Sequence, residues 1–353
     1  MGEHDQAAVR PWRIATRRSA LAQAQARAVG EALSAATGRP TELVPMSTMG
    51  DDHPERAIEA FDAKGLFVDG TRKAVLAGEC DMVVHSYKDL PTEAHPDLEV
   101  AAIPPRVDPR DALVTRAGWR LAELPRDRQL TVGTSSPRRR AQLQRHRRDL
   151  LVQPIRGNLT TRLSKVADGH LDAVVVAVAG LLRQQPDVAG LTAVPLEHGE
   201  MLHAPAQGAL AVECRRDDAV TRKALARVDH AQSRTEVAAE RELLLQLQGG
   251  CTAPIGAHAE IRTAATGADR LVLLGMVADP NGTRLYRASH ETGAEDATTL
   301  GRAMAATLLE AGGDAVLGDL RSTQQAAQRS GEQPGQAAQQ PGEQPGEAAG
   351  QHR

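Results

Sequence analysis

Cysteine is scarce. Cys80, Cys214 and Cys251 are the only three in 353 residues, too few and too scattered for a disulfide framework, and no Cys-x-x-Cys or His-x-x-x-His spacing offers a metal cage. The thiols are read as reduced, and no metal is expected. Aromatic residues amount to 2% and the net charge is −3, which argues against a nucleic-acid binder built on a basic face with stacking platforms. No stretch approaches the roughly 18–20 uninterrupted apolar residues of a membrane span. Met1 to Trp12 mixes Glu3, His4, Asp5 and Arg10 with no apolar run of the signal-peptide kind, so a cytoplasmic location is expected. Valine, isoleucine, leucine, methionine and the aromatics are all missing after Leu320, where Gly-Glu-Gln-Pro-Gly occurs at 331–335 and again at 342–346. Residues 321–353 are therefore expected to form a disordered tail. Lysine is rare too: it stands only at 64, 73, 88, 165 and 223, so 37 of the 42 basic residues are arginine.

What is present is enough for two or three domains, with 41% hydrophobic residues to fill their cores. Short β-branched runs (82–85, 111–115, 130–133, 173–178, 210–214) alternate with helical patterns. The run 173–178 is apolar on both faces, as a strand covered by helices on each side requires. Ser19 can cap a helix over 20–36 that Gly38 stops, and Ser136 can cap one with Pro137 at its first position. After a long helical stretch (233–247), strand-like segments at 257–261, 270–277 and 285–289 precede a helix over 297–311. The reading is α/β, with two α/β lobes followed by a small C-terminal α+β domain that begins near 230.

In open sheets ligands bind beyond the carboxyl ends of strands. Arg17 follows one such run. Ser86, Lys88 and Asp89 follow the second, Ser136, Arg138 and Arg139 the third. Arg156 and Arg162 come after Ile155, and Arg183 after 173–178. Basic side chains at several strand ends of a slightly acidic chain point to a pocket for a polyanion, which free N–H groups at the helix start after Ser136 would reinforce. The Gly-x-x-x-x-Gly-Lys-[Ser/Thr] and Gly-x-Gly-x-x-Gly loops are both missing, and guanidinium forks pair as well with carboxylates as with phosphates. A ligand with several carboxylates fits; a nucleic-acid patch along 138–148 is the weaker alternative. Asp89 stands alone as an acid in this company, either as a helix cap or Lys88 partner, or as a group that transfers a proton or stabilises a developing cation. Cys251 lies in Gln248-Gly249-Gly250-Cys251-Thr252, where glycines let another group approach the sulfur, so covalent attachment or nucleophilic catalysis competes with a packing role.

Ile14-Ala15-Thr16-Arg17, Lys64-Gly65-Leu66-Phe67, Val84-His85-Ser86-Tyr87-Lys88-Asp89-Leu90-Pro91, Asp108-Pro109-Arg110-Asp111-Ala112, Gly133-Thr134-Ser135-Ser136-Pro137-Arg138-Arg139, Arg156-Gly157-Asn158, Thr161-Arg162-Leu163, Ala177-Val178-Ala179-Gly180-Leu181, Gln207-Gly208-Ala209 and Gly249-Gly250-Cys251 together closely resemble porphobilinogen deaminase, also called hydroxymethylbilane synthase, in order from about 13 to 320. The resemblance implies a transferase of tetrapyrrole (haem and porphyrin) biosynthesis that joins porphobilinogen head to tail, with loss of ammonia, into linear hydroxymethylbilane. It implies a dipyrromethane cofactor attached covalently to Cys251, and Asp89 as the catalytic carboxylate with Lys88 beside it. Ser86, Lys88, Ser136, Arg138, Arg139, Arg156 and Arg162 are implied to hold the cofactor. Arg17, Ser19, Phe67, Arg156 and Arg183 are implied to hold the substrate. The implied fold is two lobes like those of periplasmic binding proteins, lobe one being 13–107 with 207–229 and lobe two 108–206, plus a third domain, 230–320, that carries the cofactor cysteine. A monomer is expected, with porphobilinogen as its small-molecule substrate and no nucleic-acid or membrane partner. The product would pass to uroporphyrinogen-III synthase.

The sequence departs from the family pattern in three places. Val68 is followed by Asp69-Gly70-Thr71 where the family has a lysine and a glutamate close by, Ala206 stands where it has glycine, and the tail has no counterpart. The rival reading, from a different class, is a non-catalytic two-lobed protein that binds a carboxylate solute.

Overall fold

The computed structural model describes residues 10–47, 69–186, 190–248, 253–263 and 267–330. The chain runs β1 (Trp12–Arg17), α1 (Ala20–Thr37), β2 (Thr41–Met46), α2 (Asp69–Leu76), β3 (Met82–Ser86), β4 (Leu98–Ala102), β5 (Asp111–Thr115), β6 (Thr131–Gly133), α3 (Pro137–His146), β7 (Leu151–Gln153), α4 (Leu159–Ala167), β8 (Ala173–Ala177), α5 (Val178–Gln184), β9 (Thr192–Pro195), β10 (Leu210–Arg215), α6 (Ala219–Leu225), α7 (Ala231–Gln246), β11 (Ile255–Thr263), β12 (Asp269–Ala278), β13 (Leu285–Gly293), α8 (Ala297–Leu308) and, after a π-type turn, α9 (Asp314–Ser330). The strands form three sheets in the orders β2-β1-β3-β10-β4, β7-β6-β8-β5-β9 and β11-β12-β13.

Local signals place the helices. Ser19 Oγ accepts from the Ala22 N–H, and Gly38, at φ 71°, closes α1 by donating to Ser34 O at 2.8 Å. The face of α1 that carries Ala26, Val29 and Leu33 packs on Trp12, Ile14 and Met82, and each large aliphatic side chain buried there contributes about 1.5–3 kcal/mol. Val174, Val175 and Val176 of β8 are buried as a strand covered on both faces requires. Cys80 and Cys214 are buried, as core thiols should be, and burial pushes the Cys214 thiol up to about 12.

Neither large sheet is purely parallel. β10 runs antiparallel to β3 and β4, and β5 antiparallel to β8 and β9. Both strands are the first after a passage of chain from one sheet to the other, so each enters its new sheet against the local direction. The amino end of β5 therefore lies at the same edge as the carboxyl end of β8, with Asp111 opposite Ala177. Leu210 likewise lies opposite Ser86. The two passages touch where Arg106 Nε donates to Gln207 O at 2.9 Å. Gly208 is required at this place: its φ is +85°, and a Cβ would sit 2.5 Å from Val107 O.

Composition assigns residues 321–330 to the tail, but they continue α9, whose inner end is anchored by buried Val316 and Leu317. Alanine, glutamine and arginine have high helix propensity, so a helix nucleated by that anchor can extend past the last apolar residue. Residues 331–353 lie outside the described residues.

Candidate active site

β3 ends in Ser86 and a single 3₁₀ turn, Tyr87–Asp89, that lifts Lys88 and Asp89 to the sheet edge. Asp89 is exposed, and its carboxylate makes no hydrogen bond or ion pair among the described residues. It is neither a cap nor a partner of Lys88, whose Nζ instead donates to Gln207 Oε1 at 3.1 Å. Burial holds the Lys88 ammonium below the usual lysine range, against the opposing pull of Asp89. Ser86 Oγ lies 2.8 Å from Gln25 Nε2 on α1. Arg17, Ser19, Gln25, His85, Ser86 and Asp89 line one concavity, with Arg17 and Ser19 half-buried there.

The turn is fixed from outside. Arg241 of α7 donates to Tyr87 O at 3.2 Å, Leu90 O at 3.1 Å and Pro91 O at 2.6 Å, and its guanidinium lies 4.3 Å from the Tyr87 ring centroid. Arginine's planar fork can satisfy three carbonyls and a ring face together, which a lysine cannot. Beneath β3, Glu213 of β10 accepts two 2.8 Å bonds from Arg72 and lies 3.1 Å from His85 Nε2. Arg72 belongs to α2, which begins at Asp69 with the departing Asp-Gly-Thr. That segment is thus helical, and its first arginine reaches the core.

Across the cleft, Ser136 caps α3 with the Arg139 N–H 3.4 Å from its Oγ. Arg138 and Arg139, expected to face a ligand, have an internal partner. Asp111, fully buried, accepts from Arg138 Nη1 at 2.8 Å and from Arg139 Nη2 at 2.6 Å. Burial alone would raise the Asp111 carboxyl, but the two guanidiniums override it and hold the group far below the usual carboxylate range. Gln207 Nε2 donates to Asp111 Oδ1 at 2.8 Å, so one chain of hydrogen bonds runs Lys88–Gln207–Asp111–Arg139 between the two sheets. Arg147, in the same basic run, is buried against Asp149 and three carbonyls. Half of the arginines in the run 138–148 are thus internal, while Arg140, Arg145 and Arg148 are exposed.

Arg162 and Arg183 differ from that pair. Arg162 Nε donates to Gly157 O at 2.8 Å and Arg183 Nη2 to Gly208 O at 2.6 Å, and neither has a carboxylate partner among the described residues. Burial lowers both, Arg183 to about 10. Arg156 is exposed in the loop directly after Ile155. Phe67 and Cys251 lie outside the described residues.

A family profile described as "Porphobilinogen deaminase, dipyromethane cofactor binding domain" matches residues 12–223, and one described as "Porphobilinogen deaminase, C-terminal domain" matches 234–310. The chain belongs to the porphobilinogen deaminase family. Curated porphobilinogen deaminases from Nocardia farcinica (49% identical, covering 91% of this chain and 92% of that one), Acidothermus cellulolyticus (46%; 92% and 95%) and Mycobacterium tuberculosis (49%; 85% and 96%) are similar to it over nearly their whole length. An amino acid ABC transporter substrate-binding protein, AbpA of Streptococcus pneumoniae, is similar at 11% identity with a TM-score of 0.33, over 62% of this chain and 86% of that one.

The residues present fit the dipyrromethane of this porphobilinogen deaminase domain. Arg162 and Arg183 are half-buried cations without a carboxylate partner among the described residues, and burial lowers both, so an anion placed there would be favoured. Pyrroles bearing acetate and propionate bring such anions. Gln25, Gln207, Asp111 and Arg241 were not singled out as functional by sequence reasoning. Gln207 and Asp111 do stand in the motifs that carry the resemblance, whereas for Gln25 and Arg241 the only available signal is the fold itself.

Proposed function

We propose that this chain is a working porphobilinogen deaminase (hydroxymethylbilane synthase), a transferase that joins porphobilinogen units head to tail with release of ammonia. The carrying observation is Asp89, a carboxylate that makes no hydrogen bond or ion pair among the described residues, in a concavity it shares with Arg17, Ser19 and Ser86; Arg162 and Arg183, which have no carboxylate partner among those residues, supply further cations. When bound, the dipyrromethane supplies the primer ring to which the first substrate unit is joined, and we assign its thioether anchor to Cys251.

The chain's own residues divide the remaining work. Arg17, Arg156, Arg162 and Arg183 bind acetate and propionate groups, with Ser19 and Phe67 beside the substrate. Ser86, Lys88 and Ser136 hold the cofactor side of the cleft, where Arg138 and Arg139 supply positive potential from their seat on Asp111. Loss of ammonia from the substrate's aminomethyl group leaves a cation conjugated with the ring N–H. Asp89, with no internal partner to satisfy it, stabilises that charge more than the neutral ring and so lowers the barrier rather than only tightening binding. Lys88, steadied by Gln207, keeps the aspartate flanked by a cation.

The three sheets support a division into lobe one (13–107 with 207–229), lobe two (108–206) and a third domain from 230. We take the chain to act as a cytoplasmic monomer that passes its product to uroporphyrinogen-III synthase; no helix among the described residues is long and apolar enough to cross a membrane. Intact mass of the denatured protein tests the reading. It should exceed the sequence mass by one dipyrromethane, and Cys251→Ser should lose the excess. An unmodified mass in active protein would overturn the anchor, and an unmodified, inactive protein would favour a solute-binding role.

A further inference from the structure

Away from the cleft, three histidines, two of them at a His-x4-His spacing and the third 55 residues on, come together where the chain leaves lobe two and meets the free edge of β11. His198 lies in the turn after β9, His203 five residues on, and His258 within β11. One ring nitrogen of each lies within 4.8 Å of the others. The approach is backbone-enforced: Ala257 N donates to His203 O at 3.0 Å, and a Cβ on Gly256 would come 2.9 Å from Leu202 Cβ.

We propose that His198, His203 and His258 form a site for a divalent transition metal of the Zn²⁺ class, which clamps the third sheet to the passage between the lobes. His203 Nδ1 is 2.9 Å from Ala204 O. A carbonyl only accepts, so Nδ1 carries the proton and Nε2 presents a lone pair. His258 Nδ1–H donates to that lone pair at 3.0 Å, and a metal would replace this proton, which moves to Nε2; the spacing is close to the roughly 3.3 Å that separates two nitrogens bound at about 2.0–2.1 Å to one tetrahedral zinc. On the far side of its ring, His258 Nε2 lies 3.8 Å from Glu260 Oε1, an oxygen that also accepts from Arg262. Ligating histidines characteristically give their other N–H to a carbonyl or a carboxylate; His203 already does so to Ala204 O, and Glu260 lies next to the outer nitrogen of His258.

The independent observation is His198. Its Nδ1 is buried with no hydrogen-bond partner, a state that costs free energy unless something completes it. The ring is half-buried and stacked on His258 at 3.6 Å, and turning it off that stack brings a third nitrogen to the metal and leaves the fourth position to water. Burial pushes His198 and His258 down to about 4 and His203 further, so all three rings are neutral ligands at neutral pH. The nearby cations are already matched, Arg106 by Glu240, Arg110 by Asp108 and Glu197, and Arg262 by Glu260. An all-imidazole set selects zinc, copper, nickel or iron over magnesium and calcium.

The test uses full-length, cofactor-bearing protein freed of metal with a chelator and then titrated with Zn²⁺ or Co²⁺ alone. The expected result is one equivalent bound, tetrahedral Co²⁺ bands in the visible spectrum, and a melting temperature that rises with metal concentration. His198→Gln, at the half-buried position, and His258→Gln should each weaken binding at least about tenfold, and Glu260→Gln by about tenfold. Mg²⁺ should do nothing. Absence of stoichiometric binding by the wild type overturns the site, and so does binding that survives His198→Gln, which would give the metal to thiols or other groups. Should His258→Gln fail to fold, the wild-type cobalt spectrum and His198→Gln decide.

Discussion

Asp89 and Lys88 are neighbours of opposite charge that do not pair, and that separation bears on the chemistry. Had Lys88 taken up the carboxylate, Asp89 would be electrostatically satisfied in the resting protein and would gain little from a new cation. Gln207 prevents this by accepting from Lys88 Nζ. Asp89→Asn keeps the shape and removes the charge, so turnover of porphobilinogen should fall by about 10²-fold or more, the scale of one lost electrostatic stabiliser. The fold should survive, since no internal contact is lost. Near wild-type turnover in steady-state assays would return Asp89 to a bystander. Arg183→Ala is the contrast. Its loss removes a binding cation that meets substrate and transition state alike, so KM should rise more than kcat falls; an effect confined to kcat would contradict the binding role.

Elements were legible from sequence where their signals are local. Ser19, Gly38, Ser136 and Pro137 bracket α1 and open α3 as expected. The partners of the arginines were not legible, because Asp111 meets Arg138 and Arg139 across 27 and 28 residues and only after β5 enters its sheet antiparallel. The same holds in part for the three histidines: His198 and His203 stand at a zinc-like His-x4-His spacing, but only the fold brings His258 to them. The end of α9 was missed for another reason, since composition measures what a segment can bury and not whether a helix already nucleated can run on. The Ala206 departure is more informative in structure than in sequence. Its φ is +61°, buried, with its N–H donating to Glu240 Oε2 at 2.7 Å. An L-residue pays about 1–2 kcal/mol in that region, whereas glycine pays only chain entropy of roughly 0.5–1 kcal/mol. Ala206→Gly should therefore be neutral to stabilising, by up to about 1 kcal/mol in urea unfolding. A clear loss of stability would show that the Ala206 methyl group packs productively with Ile103 and Val237.

At the scale of the whole molecule, each part carries a buried ion pair, and the three sheets are joined by small apolar clusters together with one of those pairs. Asp111 with Arg138 and Arg139 lies within lobe two and is linked to the Lys88 edge of the other sheet through Gln207. Glu240 accepts from Arg106, from the Ala206 N–H and from the Ala259 N–H, which ties the third sheet to both passages. Glu213 with Arg72 and His85 braces lobe one. This construction makes acid the expected denaturant. Glu213 is held down to about 2 by hydrogen bonds from His85 and Arg72 that outweigh burial, and Asp111 lies lower still. A carboxyl whose folded pKa is depressed contributes stability above its unfolded value, near 4.3 for glutamate, and that contribution is lost as pH falls through the folded value. For Glu213 the two values imply at most about 3 kcal/mol. Urea midpoints should hold steady from pH 7 to about 5 and then decline steeply towards pH 3. Glu213→Gln should be destabilised at pH 7 by about 3–5 kcal/mol, because Arg72 is left buried without its anion, and should show a shallower decline below pH 5. Two outcomes would contradict a frame held by these pairs: a wild-type midpoint unchanged between pH 5 and 3, or a variant that follows the wild-type slope.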